Sequence, residues 1–293
     1  MNDKGSCHEC GAELAPGEAQ GLCPRCLMKH GLGTQPEPGA TAIETGPTSR
    51  SRPLPEPGEQ FGRYRIVRAL GRGGMGIVYE AEEQDTGRRV ALKVLARQLD
   101  SPEHRARFLR EGRLAASINH PNSVYVFGPE EIDGTPTITM ELVAGGTLQE
   151  RVKKHGPMPR PAAVDAVLQI IAGLEAAQSI GFLHRDVKPG NCFEDAEGAV
   201  KIGDFGLSIS TGARTEPNVT TAGTMVGTPA FCSPEQLRGE DLNARSDMYS
   251  VGVTLFYLLT GRVPFEGNNI AQLTANVLEK RAPSPRQFRK EIP

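Results

Sequence analysis

One run constrains this chain more than any other: His184-Arg185-Asp186-Val187-Lys188-Pro189-Gly190-Asn191, followed across a short predicted hairpin by Asp204-Phe205-Gly206. It supplies a carboxylate that can orient a hydroxyl nucleophile, a lysine that can neutralise a phosphate, and two oxygen donors of the kind magnesium takes. They stand in the order that phosphoryl transfer requires. Chance does not readily assemble such a set, so whatever fold the chain adopts must gather these residues around one reacting group.

Two upstream features gain meaning beside that run. The segment Gly71-Arg72-Gly73-Gly74-Met75-Gly76-Ile77-Val78 fits the pattern G-x-G-x-x-G-x-V, in which missing side chains let backbone amides approach phosphate oxygens. Alone it is weak, since the same glycines serve a plain turn or a dinucleotide fingerprint. Here, however, strands are predicted on both sides, whereas a dinucleotide fold needs a helix immediately afterwards. Next, Val90-Ala91-Leu92-Lys93 puts a lysine inside an apolar strand, where burying an ammonium is costly unless anions receive it. Glu111, in Phe108-Leu109-Arg110-Glu111 on the following helix, is a candidate carboxylate partner, although by itself it reads as one more solvated helix charge.

The pattern of elements agrees with a two-part body. Strands are predicted over Tyr64–Leu70, Gly76–Glu82 and Arg89–Leu95, then a helix capped by Ser101 with Pro102 in its first turn. Beyond Leu148 the reading turns helical, with Val164, Val167, Leu168, Ile171 and Leu174 spaced as one buried face leading to Gly181-Phe182. A length of 293 residues accommodates one such catalytic unit and a small accessory module, because single cores stop growing near roughly 250–300 residues.

The N-terminal module carries Cys7-His8-Glu9-Cys10 and Cys23-Pro24-Arg25-Cys26, two Cys-x-x-Cys pairs with the spacing of a four-thiolate zinc ribbon over residues 1–32. Two redox pairs or free thiols are the alternatives, but no βαβ pattern surrounds either pair. His8 and His30 read as bystanders. Residues 33–60 hold Pro36, Pro38, Pro47, Pro53, Pro55 and Pro57 with hardly a large apolar side chain, the composition of a flexible linker. The formal net charge of −2 offers no field for gripping nucleic acid or anionic lipid. The N-terminal module has three basic residues against four acidic and no aromatic ring, so nucleic-acid binding is not expected of it. Met1–Met28 contains no apolar run fit for a signal peptide, and Val251–Leu259 is too short for a span that needs about 20 apolar residues. The default compartment is the cytosol.

Taken together, these motifs resemble the protein-kinase family, and most closely its bacterial Hanks-type serine/threonine branch. The resemblance covers Phe61 to about Pro293. It implies an α+β, two-lobed kinase fold, with a β-rich N-lobe and an α-helical C-lobe lacking its last helices, preceded by the zinc-ribbon-like module. By the same resemblance, the cofactors would be ATP and Mg2+, with structural Zn2+ in the module. Lys93 would bind the α- and β-phosphates and pair with Glu111, Asp186 would be the catalytic base, and Asn191 and Asp204 would hold magnesium. Lys188 is the serine/threonine-class version of its loop. Leu70, Val78 and Ala91 would cover the adenine, Met140 would be the gatekeeper, and Glu141 and Val143 would offer backbone hydrogen bonds to it. Phe193 stands where the family usually has leucine beneath the ring.

Further implications concern regulation. The hydroxyl-rich stretch between Asp204 and Glu235 would be an activation loop, with Thr220 as the first phosphorylation candidate and Thr221 and Thr224 next. Arg185 would receive the phosphate. Thr228, in Gly227-Thr228-Pro229, resembles the threonine that selects serine or threonine substrates. Ser233-Pro234-Glu235 matches Ala-Pro-Glu, and Asp247 matches the aspartate that supports the catalytic loop. The arginine that usually pairs with the counterpart of Glu235 lies beyond the last residue, so the chain reads as a piece of a longer protein, with membrane attachment downstream an open alternative. Partners would be proteins bearing serine or threonine, a docking partner for the zinc module, and a second copy during autophosphorylation. A pseudokinase scaffold and a zinc-dependent nucleic-acid binder are the competing functions. The first would lack one of Lys93, Asp186, Asn191 or Asp204, all of which are present.

Overall fold

A computed structural model describes residues 54–73, 76–95, 101–205 and 228–292. The four cysteines of the N-terminal module, together with Gly74, Met75, Thr220, Thr221 and Thr224, lie outside them, and Thr228 is described in its backbone only.

The first half is a six-stranded antiparallel sheet ordered β1-β2-β3-β4-β6-β5, built from β1 (Gln60–Phe61), β2 (Tyr64–Gly73), β3 (Gly76–Glu83), β4 (Arg89–Leu95), β5 (Val126–Ile132) and β6 (Thr135–Glu141). Strand periodicity decides what each face receives. On β4, Val90, Leu92 and Val94 join Phe61, Tyr64, Ile66, Ile77, Tyr79 and Ala81 in one apolar cluster. The alternate residues Ala91 and Leu95 join the main core shared with the helical half. Lys93 falls in that second register, which turns an ammonium toward the interior from a strand that is otherwise apolar after Arg89. The β5–β6 hairpin closes through Asp133-Gly134, both at positive φ, as a two-residue turn with right-handed strands prefers.

Helix α1 (Pro102–Ala116) lies on β5 and β6. It comes close enough that a Cβ at Gly112 would stand 2.9 Å from Ile138. Between α1 and β5, Asn122 ties the chain to the helical half, its Nδ2 donating to the Val200 carbonyl at 2.9 Å and to Gln169 Oε1 at 3.0 Å, and the chain enters that half after β6. That half comprises α2 (Leu148–His155), α3 (Arg160–Ser179), α4 (Pro234–Arg238), α5 (Ala244–Thr260) and α6 (Ile270–Glu279), with a small hairpin of β7 (Cys192–Glu194) and β8 (Val200–Ile202). Each of α2 and α4 begins with a reciprocal capping box, Thr147 with Glu150 and Ser233 with Gln236. The apolar run Val251–Leu259 lies inside α5, with Leu258 fully buried. Among the described residues no helix is long and apolar enough to cross a membrane.

On α3 the expected Val167 and Leu174 are buried and Ile171 packs against the core, but the structure corrects the other two positions of that face. Val164 and Leu168 are 47% and 58% exposed, while the buried stripe runs Ala163, Ala166, Val167, Ile170, Gly173, Leu174, Ala177. The reason is close approach. A Cβ at Gly173 would lie 2.4 Å from the Asn122 carbonyl, so small residues line the closest approach, with Val167, Ile170 and Leu174 packed beside them and Val164 and Leu168 turned outward.

Candidate active site

The segment His184–Asp186 is held from three directions. Asp247, in the first turn of α5, accepts the backbone N–H of His184 (2.9 Å) and of Arg185 (2.7 Å) on its two oxygens. The fully buried His184 ring meets the Gly203 carbonyl through Nε2 at 2.8 Å and the Asp186 N–H through Nδ1 at 3.2 Å. A carbonyl can only accept and an amide N–H can only donate, so these partners fix a neutral ring protonated on Nε2. The same ring leans on Phe205, with centroids 4.8 Å apart. From the third side, Gln236 Nε2 donates to the Arg185 carbonyl at 2.7 Å.

Among the described residues, two of the three non-glycine residues at positive φ belong to this centre, Arg185 at 66° and Asp204 at 62°. Such backbone costs of order 1–3 kcal/mol apiece and persists where surrounding bonds over-determine it. The asparagine and lysine predicted beside Asp186 are in place. Lys188 Nζ donates to Asp186 Oδ2 at 2.7 Å, and Asn191 Nδ2 donates to the same oxygen at 3.0 Å and to the Asp186 carbonyl at 2.8 Å.

Lys93 does not pair with Glu111. Its ammonium donates to Asp204 Oδ1 at 2.9 Å. Burial pushes the Asp204 carboxyl up, but the Lys93 charge and hydrogen bond more than offset this and hold it below the ordinary carboxylate range. Glu111 turns to Arg107, one turn earlier on α1, at 3.4 Å, and its Oε2 is buried with no hydrogen-bond partner among the described residues. Burial accordingly raises the Glu111 carboxyl, against the opposing charges of Arg107 and Arg185. The physical reason for the exchange is that a buried ammonium takes the anion the backbone presents to it, and the left-handed turn at Asp204 presents one.

Of the residues expected around an adenine, Val78, Ala91, Met140, Val143 and Phe193 belong to one apolar cluster, whereas Leu70 stands apart from it and is 39% exposed. The Glu141 N–H is engaged by the Tyr125 carbonyl at 2.9 Å, and the Glu141 side chain holds Lys201. Val143 makes no main-chain hydrogen bond among the described residues. Arg72, Ile77 and Gly76 pair within the β2–β3 ladder. A Cβ at Gly71 or Gly73 would meet nothing within 4 Å, and neither residue has positive φ, so the protein's own packing does not demand glycine there. What those two glycines leave is open space over the end of the sheet.

For magnesium the residues fit in kind. Asp204 offers an ionised carboxylate, and Asn191, with its Nδ2 committed to Asp186, has its amide oxygen left to give. Magnesium is usually held by one or two carboxylates plus substrate phosphates. Among the described residues no group of three or more His, Cys, Asp or Glu stands together.

Sequence reasoning missed Gln236 and Ser246. The capping spacing Ser233-x-x-Gln236 signals a helix start, but nothing local announces the bond to Arg185. Ser246 Oγ donates to Glu235 Oε1 at 2.6 Å and gives that carboxylate a partner inside this chain. This bond, ahead of an opposing burial effect, holds Glu235 below its ordinary range.

Comparison with known proteins places this geometry in context. Residues 64–291 match the protein kinase domain. The chain is 36% identical over 233 residues to a probable serine/threonine-protein kinase PknB of Lactococcus lactis, covering 79% of this chain and 37% of that protein. It is 38% identical over 237 residues to serine/threonine-protein kinase PknD of Mycobacterium tuberculosis, covering 80% and 35%. With serine/threonine-protein kinase PrkC of Bacillus subtilis it shares 36% over 233 residues, 79% and 36% of the two chains. The chain thus spans about a third of the length of the curated relatives it matches. Among solved structures, the Mycobacterium tuberculosis PknI kinase domain superposes with a TM-score of 0.63 at 26% identity, over 82% of this chain and 87% of that one.

Proposed function

The chain belongs to the protein kinase family, and from that premise we propose that it transfers the γ-phosphoryl group of ATP to serine and threonine hydroxyls of proteins. The observation that carries this reading is the grip on Asp186, one of whose oxygens is held by both Lys188 and Asn191 while Lys93 and Asp204 face each other across the same cleft.

In this reading Asp186 receives the proton of the substrate hydroxyl, and Lys188, 2.7 Å from it, balances the charge that develops on the transferred group. Lys93 orients the phosphates, which requires it to share or exchange its hold on Asp204. When bound at Asn191 and Asp204, magnesium supplies electrostatic neutralisation of the phosphate oxygens. The test is transfer from labelled ATP in magnesium buffer. Asp186→Asn should abolish phosphorylation and leave nucleotide affinity within a few-fold, because the base acts on the hydroxyl. Equal loss of nucleotide affinity would refute the assignment.

Regulation by loop autophosphorylation is part of the proposal, and a buried Arg185 Nε with no hydrogen-bond partner among the described residues supports it. Thr220→Ala should lower peptide turnover more than ATP affinity, and Arg185→Ala should cancel the gain from phosphorylation. Thr221 and Thr224 are the alternative acceptors, and Thr228 is proposed to select the substrate hydroxyl. Structural zinc on Cys7, Cys10, Cys23 and Cys26, with that module as a docking element, rests on the cysteine spacing. Metal analysis of freshly reduced protein should find about one zinc per chain, as a single four-thiolate site requires. Cytosolic placement and transient pairing of two copies complete the proposal, since both ATP and a second activation loop are then within reach.

A further inference from the structure

We propose that Gln236 is a positioning residue for Asp186, linking the end of the activation segment to the catalytic loop. The inference rests on the kinase reading above.

The Gln236 side chain makes two bonds that run in opposite directions. Its Oε1 accepts the Ser233 N–H at 2.9 Å, closing the capping box of α4, and its Nε2 donates to the Arg185 carbonyl at 2.7 Å. That carbonyl belongs to the peptide unit that carries the Asp186 N–H, the same N–H that donates to His184 Nδ1. A peptide unit is rigid and planar, so pinning its oxygen on one edge and its N–H on the other fixes the plane from which the Asp186 side chain departs. Arg185 sits at φ 66°, a left-handed conformation that a non-glycine residue leaves readily when unsupported. Asp247 restrains the N–H side of Arg185, and Gln236 is the restraint on its carbonyl side.

The consequence is directional. Gln236 comes directly after Ser233-Pro234-Glu235, so its side-chain amide ties the backbone that follows the phosphorylatable loop to the peptide unit of Asp186. Catalysis tolerates little misplacement of a base, and losing this amide should appear in turnover and leave ATP affinity alone.

Gln236→Glu separates the two bonds. A carboxylate keeps an acceptor for the Ser233 N–H and sits well at a helix N-terminus, but it cannot donate, and it sets an anion against the Arg185 carbonyl. Gln236→Met loses both bonds while keeping the length. The full 293-residue chain, wild type and both variants, would be assayed for peptide phosphorylation, thermal unfolding and hydrogen exchange over residues 184–187. In Gln236→Glu we expect kcat to fall about tenfold, or roughly 1.4 kcal/mol in barrier, with KM for ATP within about twofold. Exchange at 184–187 should quicken while the unfolding midpoint holds, and Gln236→Met should show the same loss of kcat with a lower midpoint. Unchanged kcat and unchanged exchange in Gln236→Glu would overturn the proposal, as would a fall in kcat fully matched by a rise in KM for ATP. If wild type transfers no phosphate yet exchange still quickens in Gln236→Glu, the kinase reading fails and the link from Gln236 to the loop stands.

Discussion

On the outer face of the six-stranded sheet and in the cleft beside it, the same residue types form ion pairs under opposite conditions. Across β2, β3 and β4, Arg65 and Arg89 grip Glu82, Arg68 and Arg89 grip Glu80, and Arg63 reaches Glu83 and Glu130. These arginine side chains are 45–65% exposed. In the cleft, Lys93 and Asp186 have side chains only 10% and 5% exposed. Distances are nearly equal in the two regions, so Coulomb attraction alone does not separate them. What separates them is what the surviving partner keeps: on the sheet Glu80 and Glu82 each retain a second arginine when one is lost, whereas Asp204 loses the one ion-pair partner it has among the described residues.

Lys93→Met tests that contrast most strongly. It strands Asp204, and we expect a cost of about 2–3 kcal/mol in urea unfolding at neutral pH, below that of a fully buried pair because Asp204 keeps some contact with solvent. The sign with pH follows from the lowered Asp204 value: the pair's stabilisation is complete above the ordinary aspartate range and is lost as pH falls through the folded value. The gap between wild type and Lys93→Met should therefore close in acid, and a pH-independent gap would mean the pair is not its source.

Ser246→Ala should cost about 1–2 kcal/mol by removing a charge-assisted bond to Glu235, again with the gap shrinking as pH falls. Glu111→Gln should go the other way and stabilise the chain by about 1 kcal/mol, since it replaces a carboxylate charge that burial disfavours with a neutral amide of the same shape. Here the folded value is raised, so the advantage is largest above the glutamate range and fades as pH drops. If Glu111 becomes the partner of Lys93 during turnover, the same variant loses peptide phosphorylation while gaining stability; unchanged turnover would remove Glu111 from the mechanism. The smallest effect belongs to the sheet: Arg65→Ala should move stability by under about 0.5 kcal/mol. A loss above 1 kcal/mol would show that the ladder acts as a network.

The two regions were unequally legible beforehand. Strand boundaries for β3 and β4 and the catalytic run around Asp186 follow from spacing and alternation, which local sequence carries in full. The choice of partners does not, because it depends on which backbone arrives nearby. Lys93 announces its need for an anion, but Asp204 answers it in place of Glu111. On α3, apolar size pointed to Val164 and Leu168, whereas the core admitted Ala163, Ala166 and Gly173, since proximity of backbones selects for small volume. Gln236 was invisible for the same reason: its capping role is local and its bond to Arg185 is not.

The buried His184 ring joins the carbonyl just ahead of Asp204 to the amide of Asp186. One imidazole therefore serves as a common reference mark for the two carboxylates, as a dowel registers two plates. Small displacements of the Asp204 segment are handed on to Asp186, so the carboxylates drift together and their mutual alignment survives thermal jitter. Replacing the ring with an apolar side chain of similar size would free each to wander by itself. The resulting defect would be one of scatter, with molecules in the sample reacting at many different speeds.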